Sequence, residues 1–343
     1  MAVSAENSGL LLPAAVAVPE PALAGSSPDR PAEVVVPVLF IAGIGRSGST
    51  LLDRLLGSSP KFHSGGEIGG VWSQGLTDDR LCSCGVRFSC CPFWQEVGSG
   101  IFAMLQSSEI AEITRYLRHE FPVKRMWRLV SRTTREGLMD AAPPNFVDLT
   151  ARLYQGIMKA CNQPVIVDSS KLATYLVMLA HVPSLRVHVV HLVRDPRAVA
   201  HSWLRPRVAD PDGRSSMPRF GVVKSAVLWL IMNAAVEWVA GRLNLPYVRI
   251  RYEDLVSEPT RIVSELRSWA QAQGLGPWVD ESGSSRADYV DLDVIHSISG
   301  NPMRFQHGLI SIAEDGAWRA DSRSSRAVTS LITIPLRRRY GYR

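Results

Sequence analysis

The sequence predicts an α/β fold, an open and mostly parallel sheet flanked by helices on both faces, with residues 34–343 forming one domain. Three observations carry that expectation. Val38–Ala42 is an apolar run that breaks into a glycine-rich loop and then a helical pattern. Pro164–Asp168 is a second apolar run, ending in Ser169-Ser170-Lys171 before the helical stretch Leu172–His181. Val187–Val193 is a third, ending in Arg194-Asp195, where Pro196 suits the first turn of a helix. Strands alternating with helices form parallel sheets, and the sites of such sheets lie along the carboxyl edge.

The remaining elements follow in chain order. Residues 1–33, rich in Ala, Pro and Ser and without a helical or strand period, read as a flexible leader. Within it Leu10–Val18 is apolar, but Glu6 and no Lys or Arg precedes it, unlike the basic start of a secretory signal; cytoplasmic residence is the default expectation. Phe146, Leu149, Leu153 and Ile157 fall on one helical face. Val222–Val239 is apolar but carries Lys224, Asn233 and Glu237, so its uninterrupted run is read as too short for a bilayer and as a long buried helix, with no transmembrane segment expected. Tyr247–Arg251 is a further strand candidate, and His188 and His191 alternate along their strand as packed or sheet-facing residues.

Composition narrows the function. A chain of 343 residues that is 46% hydrophobic has ample core for one large or two small domains. Its formal net charge of +6 suits an anionic ligand or acidic substrate. No zinc finger, RNA-binding or helix-turn-helix pattern appears and the basic residues are not interleaved with aromatics, so nucleic acid is not an expected partner.

Gly43-Ile-Gly-Arg46-Ser47-Gly48-Ser49-Thr50-Leu51 is the backbone recipe for holding phosphate, a glycine loop feeding a helix N-terminus. Against the P-loop pattern G-x-x-x-x-G-K-[ST], Gly43, Gly48 and Thr50 are in place, whereas Ser49 stands where a kinase or ATPase has its lysine. Arg46 is the loop's cation instead. The predicted edge also gathers Asp168–Lys171 and the stretch from Arg194 to Ser202, in which an arginine fork and a hydroxyl can grip a second phosphate. A ligand with phosphate at both ends would engage both grips.

These residues resemble the sulfotransferases that use 3′-phosphoadenosine 5′-phosphosulfate (PAPS), over roughly residues 36–320. Gly45-Arg-Ser-Gly-Ser-Thr-Leu51 looks like that family's 5′-phosphosulfate loop, and His191-Leu-Val-Arg-Asp-Pro-Arg-Ala-Val-Ala-His-Ser202 like its 3′-phosphate motif. Arg251-Tyr252-Glu253-Asp254-Leu255 and Gly300-Asn-Pro-Met-Arg304-Phe305 read like bacterial members, related to the carbohydrate and tyrosyl-protein enzymes. The resemblance implies PAPS as cosubstrate, Arg46, Ser47, Gly48, Ser49, Thr50 and Leu51 on the phosphosulfate, and Arg194 with Ser202 on the 3′-phosphate. It implies sulfuryl transfer by in-line displacement to a hydroxyl of a small-molecule, carbohydrate or lipid acceptor.

That reaction needs cations at the departing phosphate, an aligned acceptor hydroxyl and a base, and requires no metal. Arg46 and then Lys171 are the expected cations. Glu67, in His63-Ser-Gly-Gly-Glu67, is the expected base by the resemblance, with His63 as runner-up. The chain lacks the Trp that follows the loop threonine in the best-known cytosolic branch and that branch's C-terminal Arg-Lys-Gly, so Arg304 is considered as the substitute clamp on the 3′-phosphate, with a simple loop anchor as its alternative. Segments 101–140 and 204–221 are expected to form much of the acceptor pocket. A P-loop kinase using Mg-ATP, with Asp168 as its metal-holding aspartate, and a non-catalytic nucleotide-binding protein stay as alternatives; oligomeric state is left open.

Cys82, Cys84, Cys90 and Cys91 crowd one short segment, while Cys161 reads as core. Three readings remain open: reduced thiols packed under Phe93 and Trp94, disulfides, or a structural zinc with His63 as fourth ligand. The spacing matches no standard finger.

Overall fold

Neighbouring side chains of a strand point to opposite faces, so a strand apolar at every position must be covered on both sides. β1 (Val36–Ala42) is such a strand. In a computed structural model, which describes residues 34–120, 142–206, 217–276, 289–313 and 315–343 with Val208, Pro211 and Gly213, it lies at the centre of a five-stranded sheet. The segment 1–33 read as a leader lies outside the described residues. β2 (Phe62–Ser64), β3 (Val165–Lys171), β4 (Leu185–Val193) and β5 (Tyr247–Arg251) complete the sheet in the order β2-β3-β1-β4-β5, with every pairing parallel.

The two faces have separate cores. Val36, Val38 and Phe40 pack with the helices Phe146–Cys161, Ala173–Ala180 and Val222–Arg242, whereas Leu39 and Ile41 pack with Ser49–Gly57 and Pro259–Ala272. The expected layering, a parallel sheet between helices, is the one observed. The chain runs from β1 to β2 and β3 on one side of β1 and only then crosses to β4 on its other side, so the strand order reverses beside β1 and a crevice opens at the carboxyl ends there.

Within that frame the predicted helical face Phe146, Leu149, Leu153 and Ile157 is buried. β3 extends beyond the predicted Asp168 to Lys171, because Lys171 pairs with Ala42 across an irregularity in the ladder between Phe40 and Ala42. β2 escaped prediction because three residues carry no period; it is held by pairing of Phe62 with Val165. β6 (Tyr289–Leu292) and β7 (Gly308–Ser311) form a separate antiparallel pair, also unpredicted.

The helix Val222–Arg242 is longer than the sequence suggested. Its 21 residues have, by length and composition alone, the makings of a bilayer span, the one such helix among the described residues. One face, with Trp229, Met232, Asn233 and Val236, is buried. His191 on β4 donates through Nε2 to Asn233 Oδ1 (2.8 Å) and accepts from the Tyr247 hydroxyl (2.7 Å). Burial pushes this imidazole down to about 3, so it is neutral and packed. Burial also lowers His188, whose Nε2 donates to Gln273 O (3.1 Å).

Phe40 is fully buried in the central strand, so Phe40→Ala is expected to cost roughly 3–5 kcal/mol. Urea unfolding would read this as a lower midpoint at unchanged slope. An unmoved midpoint would contradict the position given to β1.

Candidate functional site

Two close approaches shape the loop after β1. A Cβ at Gly43 would stand 2.6 Å from Leu192 O, and one at Gly48 would stand 2.4 Å from the Tyr252 ring; both glycines have positive φ. Only glycine fits at either place. The helix Ser49–Gly57 begins at Gly48 with no side-chain cap, which leaves first-turn N–H groups and the positive end of the helix for an anion. Arg46 adopts the left-handed region (φ 74°) and sets its guanidinium 4.9 Å from the centre of the Trp203 ring. The Ser47 hydroxyl is buried with no hydrogen-bond partner among the described residues.

Arg194 leaves β4 beside this loop. It donates to the carbonyl of Arg46 (3.1 Å), lies 4.3 Å over the Tyr252 ring and comes within 3.9 Å of Asp315. Its own carbonyl accepts from Trp229 Nε1 (2.9 Å). Asp195 is no partner of Arg194: it caps the helix Pro196–Leu204 by accepting from Arg197 N (2.8 Å) and pairs with the Arg197 guanidinium (2.6 Å). Arg194 is thereby left to the crevice. Ser202, on the same helix, faces it too.

The third group comes from β3 and the segment after β2. Lys171, also left-handed (φ 70°), makes an ion pair with Glu67 Oε1 and donates to Ser169 O (3.1 Å). Glu67 Oε2 accepts from Ser299 Oγ (3.1 Å). A Cβ at Gly300 would stand 3.2 Å from Glu67 Oε1 and 3.6 Å from Thr50 Oγ1, so a bare backbone lies between the acid and the loop.

These groups line one cleft of about 560 Å³. Arg46, Gly48, Ser49, Thr50, Leu51, Glu67, Lys171, Arg194 and Ser202 are all on its wall. Sequence reading assigned no role to Trp203, Tyr252 or Asp315, which share the wall. The first two are aromatics directly beside recognised residues, a signal that was present; Asp315 had none.

Other expectations need correction. Arg304 is buried away from the cleft wall, donates to Leu81 O (3.2 Å) and lies 4.2 Å over Phe305, so it anchors a loop. His63 is stacked on Phe93 (5.2 Å) and pushed down to about 4 by burial and by His296, away from the cleft. Of the segments expected at the acceptor pocket, 204–221 supplies Met217 and Pro218. Residues 101–120 instead pack on the core, with Ile113 and Tyr116 buried, and 121–140 lie outside the described residues. Asp168 is fully buried off the cleft and accepts from Tyr154 Oη (2.5 Å), Ser170 N (2.8 Å) and Ser170 Oγ (2.5 Å). Its lone pairs are occupied in fixing the turn that presents Lys171.

No family model and no curated protein matches the chain. Among solved structures it is similar to the sulfotransferase domain of the olefin synthase of Synechococcus PCC 7002, at 22% identity and a TM-score of 0.48, over 93% of this chain and 98% of that one. It is similar to the sulfotransferase domain of the curacin biosynthetic pathway at 17% identity and a TM-score of 0.45, over 90% and 99%. It is similar to a sulfotransferase of Mycobacterium tuberculosis H37Rv at 13% identity and a TM-score of 0.36, over 71% and 69%. All three are structures of sulfotransferases.

Burial raises the Asp168 carboxyl from 3.8 to about 6. The folded chain therefore binds more protons than the unfolded chain between about pH 4 and 6, and this carboxyl's contribution to stability is present below that window and lost as pH rises through it. Asp168→Asn should flatten the dependence in urea midpoints taken across the window. A slope identical to that of the parent chain would remove Asp168 as its source.

Proposed function

We propose that the cleft binds PAPS and transfers its sulfuryl group to an acceptor hydroxyl, releasing 3′,5′-adenosine bisphosphate. The observation that carries this reading is the pair of phosphate grips tied together by one hydrogen bond, Arg194 to the Arg46 carbonyl, with the Glu67–Lys171 pair on the same wall. A glycine loop with serine in place of lysine suits a phosphosulfate held by backbone N–H groups and Arg46. Arg194 Nε and Trp203 Nε1, on residues of the cleft wall, are buried without partners among the described residues, which supports a polar ligand there; Ser47, whose hydroxyl is also unpartnered, is not itself on the wall.

The roles follow from position. Arg46 and the first-turn amides of the helix Ser49–Gly57 hold the phosphosulfate, and Arg194 with Ser202 holds the 3′-phosphate. Asp315, 3.9 Å from Arg194, occupies the side that an incoming phosphate would take. As the sulfur–oxygen bond to the phosphate breaks, negative charge grows on the leaving oxygen, and Lys171 and Arg46 stabilise it. Glu67 takes the proton of the acceptor hydroxyl as that oxygen bonds to sulfur. Drawing Lys171 toward the leaving phosphate also loosens its pairing with Glu67 and frees Oε1 for the acceptor hydroxyl. Met217, Pro218, Met303 and Ile312 give the cleft an apolar wall, which favours an acceptor with an apolar body beside its hydroxyl. Against a phosphate-transferring kinase stand the missing loop lysine and the full engagement of Asp168.

Calorimetric titration with the bisphosphate and, separately, with ATP plus Mg²⁺ tests the reading: tighter binding of the bisphosphate without metal is expected, and preference for Mg-ATP overturns it. Arg194→Ala should weaken the bisphosphate by about 1.5–3 kcal/mol, the scale of a charge-assisted contact; an unchanged affinity would remove Arg194 from the phosphate. Glu67→Gln is expected to abolish turnover with bisphosphate affinity nearly intact, and full activity in this variant would require another base.

A further inference from the structure

The cysteine-rich segment folds into a tight hairpin. Leu81 bridges to Arg87, Cys82 N donates to Val86 O (2.7 Å), and Gly85, with φ 93°, donates to Cys82 O (2.9 Å). This turn brings Cys82 and Cys84 together, and Cys91, at the start of the helix Pro92–Gly98, closes on them. The Sγ atoms of Cys84 and Cys91 are 3.6 Å apart and those of Cys82 and Cys91 3.7 Å apart. A fourth donor arrives from 205 residues further along the chain: Nδ1 of His296 lies 3.3 Å from Cys91 Sγ and 3.8 Å from Cys82 Sγ.

These separations match a particular polyhedron. With zinc–sulfur bonds near 2.3 Å and zinc–nitrogen bonds near 2.0–2.1 Å, a tetrahedral ion sets its sulfurs about 3.8 Å apart and sulfur to nitrogen about 3.6 Å apart. All four donor atoms here lie within 4.8 Å of one another. The neighbouring groups hold them in place. His296 is stacked flat on Phe93 (4.8 Å, 8°) and its carbonyl accepts from Trp94 Nε1 (2.9 Å). Cys82 and Cys91 are buried, and Cys82 is fixed by the main-chain bonds of the hairpin.

We propose that Cys82, Cys84, Cys91 and His296 form a closed Cys₃His site for a structural zinc ion. His63, the fourth ligand the sequence offered, is stacked on Phe93 at 5.2 Å and is not one of the clustered donors; Cys90 is exposed and is not one either. Binding displaces the three thiol protons, so a divalent ion in the site carries one net negative charge with its ligands. Four protein donors leave no open position, which makes the role structural. The ion would cross-link the hairpin at 81–91 to the segment that runs from His296 to Ser299 and Gly300 beside Glu67.

The test is metal content by plasma mass spectrometry on the full chain, purified with reductant and without chelator. About one zinc per chain is expected in the parent protein and in Cys90→Ser, and a loss to background in Cys84→Ser and His296→Ala, with His296→Cys retaining it. Protein produced in cobalt-supplemented medium gives a reading that needs no variant: tetrahedral d–d bands and strong thiolate-to-cobalt charge transfer. Metal-free parent protein, an octahedral cobalt spectrum, or metal that survives both Cys84→Ser and His296→Ala would overturn the site. So would an intact mass two hydrogens lower under non-reducing conditions, which marks a disulfide between two of these cysteines.

Discussion

Everything at the site depends on how closely backbone approaches backbone at the end of β1. Gly43 sits against the Leu192 carbonyl of β4, and Gly48 sits under the Tyr252 ring that follows β5. A side chain at either position would push the loop off its neighbours, and with it the helix terminus that it feeds. The contacts also explain why two sequence-distant motifs act as one object. Arg194 extends β4 past the same point and donates to the Arg46 carbonyl, while Trp229 holds the Arg194 carbonyl from the helix beneath the sheet. The loop after β1 and the end of β4 are thus tied together by two buried side-chain donors, the Arg194 guanidinium and the Trp229 indole, each on a main-chain carbonyl.

Charge is distributed to match. Arg46 and Arg194 are each more than nine-tenths buried, and Lys171 is largely so. Buried cations are costly without partners, and each of these has a compensating contact: the Trp203 ring for Arg46, Tyr252 and Asp315 for Arg194, and Glu67 for Lys171. Two of the three residues, Arg46 and Lys171, also hold left-handed backbone that side-chain-bearing residues rarely adopt. Strain and buried charge at the same positions are a combination that packing alone does not favour. It concentrates where the first strand meets its neighbours.

What the sequence revealed, and what it hid, follows from range. β1, β3 and β4 begin as apolar runs and β5 alternates apolar residues with arginine, each leading into chemistry at its end, so strands and site residues could be read together. β2, β6 and β7 are three or four residues long, below the length at which alternation carries information, and they exist because longer neighbours pair with them. Arg304 illustrates the opposite error. A motif matched, but the side chain turns to Leu81 O and the Phe305 ring, contacts that nothing local announces. For the cysteines the sequence offered His63; in space the histidine beside them is His296, and Phe93 is stacked on both imidazoles.

The segment from His296 to Gly300 joins regions that the sequence presents as unrelated. His296 faces the cysteines, Ser83 N donates to Ser297 O (2.9 Å), and Ser297 Oγ donates to Ser299 O (2.8 Å). Ser299 then reaches Glu67, and Gly300 fills the gap between Glu67 and Thr50. A Cβ on Gly66 would collide with Ser297 Oγ at 2.0 Å, so the residue before Glu67 is glycine for the sake of this segment. The acid is therefore oriented from two sides, by Lys171 at the sheet edge and by Ser299 on a strap whose other end lies among the cysteines. Fixing a carboxylate at both oxygens limits its rotation, which is what the base role proposed for Glu67 requires.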